Sequence, residues 1–156
     1  MSTYIIVHGA WHDGSLFEAT AAPLREMGHE VHLPTIAGNG DGDSKETGLD
    51  QAIDSIAEFI ETNDLNDFVL VGHSYGGMII TGIADRMPDR IQRLVYWNAF
   101  VPNNGESLND MVHLTMSNCS IPWRERMAAR CCLSPFGAMR LSMTRRWRSR
   151  RPPSSN

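Results

Sequence analysis

The sequence predicts an α/β fold in which a parallel β-sheet of about four strands is flanked by helices. Apolar, β-branched runs alternate along residues 4–100 with stretches whose apolar side chains recur at helical spacing. The central run, residues 68–72, is apolar along its length, which is typical of a strand covered on both faces. Strands that alternate with helices along the chain form parallel sheets with right-handed crossovers.

The first half of this pattern comprises a strand, a loop, a helix and a second strand. We expect these segments at residues 4–8, 8–14, 15–27 and 30–34. Ser15 is expected to cap the helix, because Glu18 then stands at the third helical position and completes a capping box. Gly28 is expected to end the helix.

The second half repeats the alternation after a loop rich in glycine, aspartate and asparagine at residues 37–48. The predicted segments are a helix over 49–61, a strand over 68–72, a helix over 78–87 and a strand over 91–100. Pro88 is expected to end the third helix, because proline lacks the N–H that a helix interior requires.

The charge distribution divides the chain into two parts. Residues 1–110 hold 5 Lys and Arg and 17 Asp and Glu, a net charge of −12. Residues 111–156 hold 9 Arg and a single acid, a net charge of +8, together with all 3 cysteines and only one of 13 glycines. We therefore expect residues 1–110 to be the natively folded part. Residues 111–156 are predicted to be an abnormal, irregular Arg-rich tail.

Composition also narrows the class of protein. No run approaches the 18 or so apolar residues that a membrane-spanning helix needs, and the N-terminus shows no signal-peptide pattern. The 3 cysteines have no metal-binding or redox spacing. We expect a cytoplasmic protein with no membrane partner.

A Gly-x-Ser-x-Gly pattern at Gly72, Ser74 and Gly76 follows a predicted buried strand and precedes an apolar helix. A serine hydroxyl is a weak nucleophile, and a sharp strand-to-helix turn exposes its Oγ to a base. Glycine is needed on both sides because Cβ atoms would collide across so tight a turn. The pattern predicts that Ser74 is a catalytic nucleophile.

Two backbone N–H groups are candidates for an oxyanion hole. The N–H of Tyr75 stands at the N-terminus of the helix that follows Ser74, where negative charge is favoured. The loop after the first strand, residues 8–11, is placed to supply a second donor, and Gly9 permits close approach of its backbone. The N–H of Ala10 is the candidate second donor.

Trp11 and His73 are the candidate substrate-binding residues. His73 is expected to pack rather than to transfer protons, because neighbouring side chains on such a turn point apart. His8 and His12 are expected to shape the loop or line a pocket. The histidines show no helical metal-ligand spacing, so no metal site is predicted.

Residues 4–102 resemble the α/β-hydrolase superfamily, and within it the small esterases grouped with plant methylesterases and hydroxynitrile lyases. The resemblance lies in VHGAWHDG (7–14), the Asp-Gly-rich loop 38–43, VLVGHSYGG (69–77) and DRIQRLVYWNAFVP (89–102). It implies an α/β-hydrolase-type sheet, of which this sequence holds the N-terminal part, and a reaction without a cofactor. Hydroxynitrile lyases tend to carry Thr where this chain has Gly9, which favours ester hydrolysis.

The rest of a catalytic triad cannot be assigned. In this fold an acid and then a histidine follow the nucleophile along the chain. After Ser74 comes one histidine, His113, and after Val101 come the acids Glu106, Asp110 and Glu125, none of which follows a predicted strand.

From about residue 112 the composition is that of a GC-rich gene translated out of frame. We therefore expect a frameshifted or truncated C-terminal part. The sheet edge beyond the fourth strand would then be uncovered and prone to aggregation.

Three hypotheses follow. The first is a serine hydrolase of small-molecule carboxylic esters, catalytically incomplete as written, with no nucleic-acid partner. The second keeps the fold but performs hydroxynitrile lyase or cofactor-free dioxygenase chemistry. The third is an inactive fragment or a binding module with a basic tail, for which nucleic-acid binding would be salt-sensitive.

Overall fold

The structure, a computed structural model, describes residues 1–44 and 46–111. The abnormal tail predicted for residues 111–156 therefore lies, beyond its first residue, outside the described residues. The helices and strands are β1 (Thr3–Val7), α1 (Glu18–Glu26), β2 (Glu30–His32), α2 (Leu49–Thr62), β3 (Phe68–Ser74), α3 (Gly76–Arg86) and β4 (Ile91–Ala99). They confirm the predicted order of strands and helices.

The four strands form one parallel sheet in the order β2-β1-β3-β4. The α/β class and the four-stranded parallel sheet are thus confirmed. Val7 lies opposite Gly72, and His73 lies opposite Trp97. The register shifts between His73 and Ser74, so that Ser74 pairs with Ala99. Among the described strands β4 pairs with β3 alone, and its predicted tendency to aggregate stays a prediction.

Hydrophobic clusters lie on both faces of the sheet, as the alternation of side chains along a strand requires. Ile5 and Val7 of β1 belong to a large cluster with buried residues of α2 and α3, whereas Ile6 belongs to a smaller one with Ala21 of α1. The central strands are therefore covered by helices on both sides. Among the described residues, no helix is long and apolar enough to cross a membrane.

The start of α1 differs from the prediction. The side chain of Asp13 accepts a hydrogen bond from the backbone N–H of Ser15, at 2.8 Å. A 3-10 turn over Gly14–Phe17 follows, and α1 begins only at Glu18. The predicted Ser15 cap is wrong because a carboxylate two residues earlier already satisfies the first free N–H group.

The end of α1 is as predicted. Gly28 has φ +84°, and its N–H donates to the carbonyl of Arg25 at 2.9 Å. The N–H of His29 donates to the carbonyl of Leu24 at 3.1 Å. These two bonds form a Schellman motif, which ends a helix where glycine adopts the left-handed conformation.

Helix α3 begins at Gly76, two residues earlier than predicted. A Cβ at Gly76 would lie 2.5 Å from the carbonyl oxygen of Val7, and a Cβ at Gly77 would lie 2.3 Å from that of Phe100. Both glycines lower helix propensity, but the helix needs them because its first turn packs against the neighbouring strands.

Candidate active site

The candidate site lies at the point where the strand order changes direction, between β1 and β3. From β1 the chain moves outward to β2, then returns to β3 on the other side of β1. In open parallel sheets, ligands bind outside the carboxyl ends of the strands at such a switch point. Ser74 at the end of β3 and the loop after Val7 both lie at this edge.

The backbone of Ser74 has the conformation of a sharp strand-to-helix turn. Its φ is +53°, a left-handed value that costs a non-glycine residue about 1–3 kcal/mol. Tyr75 returns to φ −55°, and α3 follows at once. The carbonyl of Ser74 accepts a hydrogen bond from the N–H of Phe100 at 3.0 Å. Such strain clusters at functional sites, where the surrounding structure maintains it.

Gly72 is needed for the reason predicted, whereas Gly76 is needed because it packs against the end of β1. A Cβ at Gly72 would lie 2.6 Å from the carbonyl oxygen of Gly76, across the turn. A Cβ at Gly76 would meet the carbonyl oxygens of Val7 and His8 at 2.5 and 2.7 Å. Because these contacts are with backbone atoms, a side chain at Gly72 would force the turn apart, and one at Gly76 would push the turn away from the end of β1.

The loop after β1 contacts the turn directly. A Cβ placed on Gly9 would lie 3.1 Å from the Cβ of Ser74 and 3.5 Å from its Oγ. The predicted juxtaposition of this loop with Ser74 is therefore present. A larger residue at Gly9 would occupy the space immediately beside the serine hydroxyl.

His8 fixes one peptide group of this loop. Its buried ring forms a 2.8 Å hydrogen bond through Nδ1 with the carbonyl of Gly9, and Nε2 accepts from the N–H of Ile36 at 3.0 Å. This pattern requires a neutral imidazole with its proton on Nδ1. Burial lowers the pKa of His8, which agrees with the neutral form. His8 thus shapes the loop, as expected.

The same bond orients the candidate oxyanion donor. The peptide bond between Gly9 and Ala10 is trans, so its C=O and N–H point in opposite directions. Because the carbonyl of Gly9 is directed at His8, the N–H of Ala10 points away from that ring.

A cleft of about 360 Å³ gathers three of the five predicted site residues. Ala10, Trp11 and Tyr75 line it, and Trp11 is 80% exposed. Its remaining lining residues are Ala37, Gly38, Asn39, Thr47 and Ala52. Burial raises the pKa of the Tyr75 hydroxyl. Ser74 and His73 do not line this cleft, which therefore adjoins the serine rather than containing it.

His73 lies in an aromatic cluster. Its ring centroid is 5.5 Å from that of Phe17 and 5.4 Å from that of Trp97. Burial lowers the pKa of His73, and the charge of His12 lowers it further. The buried Nδ1 has no hydrogen-bond partner among the described residues. These contacts agree with the expected packing role.

The acids that follow Val101 within the described residues take part in local turns. Glu106 accepts hydrogen bonds from the N–H and the side-chain amide of Asn103, at 2.7 and 3.0 Å, and these bonds lower the pKa of its carboxyl. Asp110 accepts from the N–H and hydroxyl of Ser107. His113 and Glu125 lie outside the described residues. Neither described acid is oriented by a strand end.

Asn39 is a residue that the sequence did not indicate. Its side-chain Nδ2 donates to the carbonyls of Ala10 and His12, at 2.7 and 2.8 Å. In the sequence it is one polar residue in a glycine-rich loop, with no motif to distinguish it. No cluster of three metal-binding side chains occurs in residues 1–44 and 46–111.

In a comparison with known protein families, residues 4–155 of the chain match the Alpha/beta hydrolase family. The chain is 47% identical over 111 residues to a carbendazim hydrolyzing esterase from Nocardioides, covering 69% of this chain and 46% of that protein. It is 32% identical over 112 residues to an alpha-hydroxynitrile lyase from Arabidopsis thaliana, covering 64% of this chain and 40% of that one.

A solved structure of an extracellular alpha/beta-hydrolase from a Paenibacillus species superimposes with a TM-score of 0.70 at 33% identity. The match covers 82% of this chain and 49% of that one. This chain thus spans about half the length of the relatives that it matches.

Proposed function

The chain belongs to the alpha/beta hydrolase family, and from that premise we propose that it is a serine hydrolase of small carboxylic esters. Ser74 is its nucleophile, and the site lies within residues 1–110, the N-terminal part of the hydrolase domain. The left-handed backbone of Ser74, between β3 and α3, is the observation that carries the proposal. Asp64, Asp67 and Asn98 also have positive φ, but aspartate and asparagine adopt this conformation several-fold more readily than most residues, so Ser74 is the uncommon case.

In the proposed reaction the Oγ of Ser74 attacks the ester carbonyl carbon while its proton passes to a general base. The carbonyl oxygen becomes an oxyanion, which the N–H groups of Ala10 and Tyr75 stabilise by hydrogen bonds. The intermediate then collapses, the alcohol leaves with a proton, and water hydrolyses the acyl-serine ester. Trp11 and His73 are the proposed contacts of the substrate.

Gly9 supports ester hydrolysis over cyanohydrin cleavage. Its Cα stands so close to Ser74 that an added Cβ would come within 3.5 Å of the serine Oγ. A glycine leaves room there for the acyl group of an ester. The carbendazim hydrolyzing esterase among the relatives agrees with this choice of reaction.

The general base is not supplied by the described residues that flank the serine. Both ring nitrogens of His8 are hydrogen bonded, and His73 packs between Phe17 and Trp97. We propose that the chain as written is catalytically incomplete. Oxyanion stabilisation and binding alone leave about 10³–10⁴-fold catalysis over water when a triad member is removed.

Hydrolysis of p-nitrophenyl acetate by the full chain tests this proposal. We expect slow hydrolysis with an acetyl group formed on Ser74, a residual rate in Ser74→Ala from the oxyanion hole and binding alone, and no cleavage of cyanohydrins. Ser2→Ala is the matched control, because Ser2 precedes β1 at the opposite edge of the sheet. Hydrolysis without acetylation of Ser74 would refute the nucleophile, and rapid turnover typical of a complete triad would refute the incompleteness.

A further inference from the structure

Asn39 joins two loops that meet beside Ser74. One amide nitrogen, Nδ2, donates to both the carbonyl of Ala10 and the carbonyl of His12. At 2.7 and 2.8 Å these bonds are at the short end of the usual range for an amide donor. Both hydrogens of the amide are therefore used to hold residues 10–12.

Asn39 is itself held in place by its own loop. Its backbone N–H donates to the carbonyl of Ile36 at 3.0 Å. The N–H groups on either side of it, those of Gly38 and Gly40, both donate to the carboxylate of Asp43, at 3.0 and 2.9 Å. The carboxylate of Asp43 thus closes this turn. The turn therefore fixes the backbone from which the Asn39 side chain extends.

The two loops together determine the backbone of Ala10. The peptide group before its Cα is fixed through the carbonyl of Gly9, which is bonded to His8. The peptide group after its Cα is fixed through the carbonyl of Ala10, which is bonded to Asn39. The N–H of Ala10 belongs to the first of these peptide groups. Asn39 holds the second, and so limits how far the first can rotate about the Cα of Ala10.

We propose that Asn39 is a positioning residue for the oxyanion hole, acting through the carbonyl of Ala10. The inference rests on the proposed function, in which the N–H of Ala10 binds the oxyanion. Only a side chain with two N–H donors at this length satisfies both carbonyls. An aspartate has the same shape but would place a charged acceptor against two carbonyl oxygens, and so would repel the loop it should hold.

Three variants of the full chain test the role of Asn39. Asn39→Ala removes both donors. Asn39→Asp replaces the amide with a carboxylate that can only accept hydrogen bonds, and Asn39→Ser keeps a single hydroxyl donor. The matched control is Asn66→Ala, since Nδ2 of Asn66 also donates to two oxygens, both on Asp64 before β3. Unfolding temperatures establish that each variant is folded.

Two measurements are made on every variant. Heteronuclear NOE values of the amides at residues 10–12 report the order of the loop. The rate at which a fluorophosphonate modifies Ser74, with kcat and KM for p-nitrophenyl acetate, reports the oxyanion hole. We expect Asn39→Ala and Asn39→Asp to lose loop order and to slow modification and kcat by about tenfold to a hundredfold, with little change in KM. Asn39→Ser, whose hydroxyl is shorter than the amide, should behave like Asn39→Ala, and Asn66→Ala should be unchanged.

Loop order retained in the Asn39 variants would overturn the proposal, as would lost order with unchanged modification and kcat. A rise in KM without a fall in kcat would also overturn it. Because the proposed chain lacks its base, modification is expected to be slow. If Ser74 of the wild type is not modified even on prolonged incubation with excess reagent, the proposed function fails. The amide measurement then still decides whether Asn39 holds residues 10–12.

Discussion

The strained backbone of Ser74 is held by the backbone groups around it. The serine is held at φ +53°, with its carbonyl bonded to the N–H of Phe100 and a glycine packed against its side chain. Each of these features depends on a particular backbone atom rather than on the chemistry of a neighbouring side chain. The turn is therefore built into the main chain, and Ser74→Ala should preserve it.

The pH dependence of folding is expected to involve His73. Burial holds the pKa of the folded His73 below its ordinary value of 6.5, so the unfolded chain takes up its proton more readily. Stability from this group is present above the unfolded pKa and is lost as the pH falls toward the lower folded pKa. His73→Phe removes the titrating group and can keep the ring contacts with Phe17 and Trp97.

Urea unfolding near pH 8 and near pH 5.5 measures this effect. The loss of unfolding free energy on acidification should be smaller in His73→Phe than in the wild type. His8, whose pKa burial also lowers, accounts for part of the loss that remains. An equal loss in the two proteins would show that His73 does not contribute to the acid sensitivity of the fold.

Among the elements, α1 shows how a helix end sets stability. Gly28 has φ +84°, and a Cβ built there meets nothing within 4 Å. Gly28→Ala should therefore be destabilising for conformational reasons alone, by about 1 kcal/mol. Gly28→Asn should cost less, because asparagine tolerates the left-handed conformation.

The measurement is the unfolding free energy from denaturant titration, with Met27→Ala as the control at an exposed neighbouring position. An alanine at residue 28 that is no worse than asparagine would mean that the Schellman geometry does not limit stability here.

The order and class of the elements could be predicted because each depends on neighbours in sequence. Apolar runs and helical spacing located the four strands and helices α1, α2 and α3, and Gly28 marked a helix end. The errors came where a tertiary contact or a competing acceptor decided the outcome. The side chain of Asp13, not that of Ser15, accepts the capping hydrogen bond, and α3 begins at Gly76, two residues earlier than predicted.

At the scale of the whole molecule, the site divides into a part that sequence reveals and a part that it does not. Gly72, Ser74 and Gly76 stand within five residues, so a local pattern was enough to find the turn. Asn39 reaches Ala10 and His12 across 29 and 27 positions, and only the meeting of two loops at the sheet edge makes it relevant.

The parallel sheet is what brings these parts together. Because β1 and β3 are adjacent and parallel, the loop after Val7 and the turn at Ser74 emerge at one edge. The topology thus places the proposed nucleophile and the two proposed oxyanion donors at the ends of two neighbouring strands. The base and the acid belong to later parts of the chain in this family.

Site mapping of a fluorophosphonate adduct on the full chain tests the central claim, that Ser74 is a serine nucleophile, most directly. Peptide mass spectrometry after modification should place the phosphonyl group on Ser74 and on no other residue, and Ser74→Ala should remain unmodified. A wild-type chain that hydrolyses p-nitrophenyl acetate but carries no adduct on Ser74, or carries it on another residue, would contradict the account.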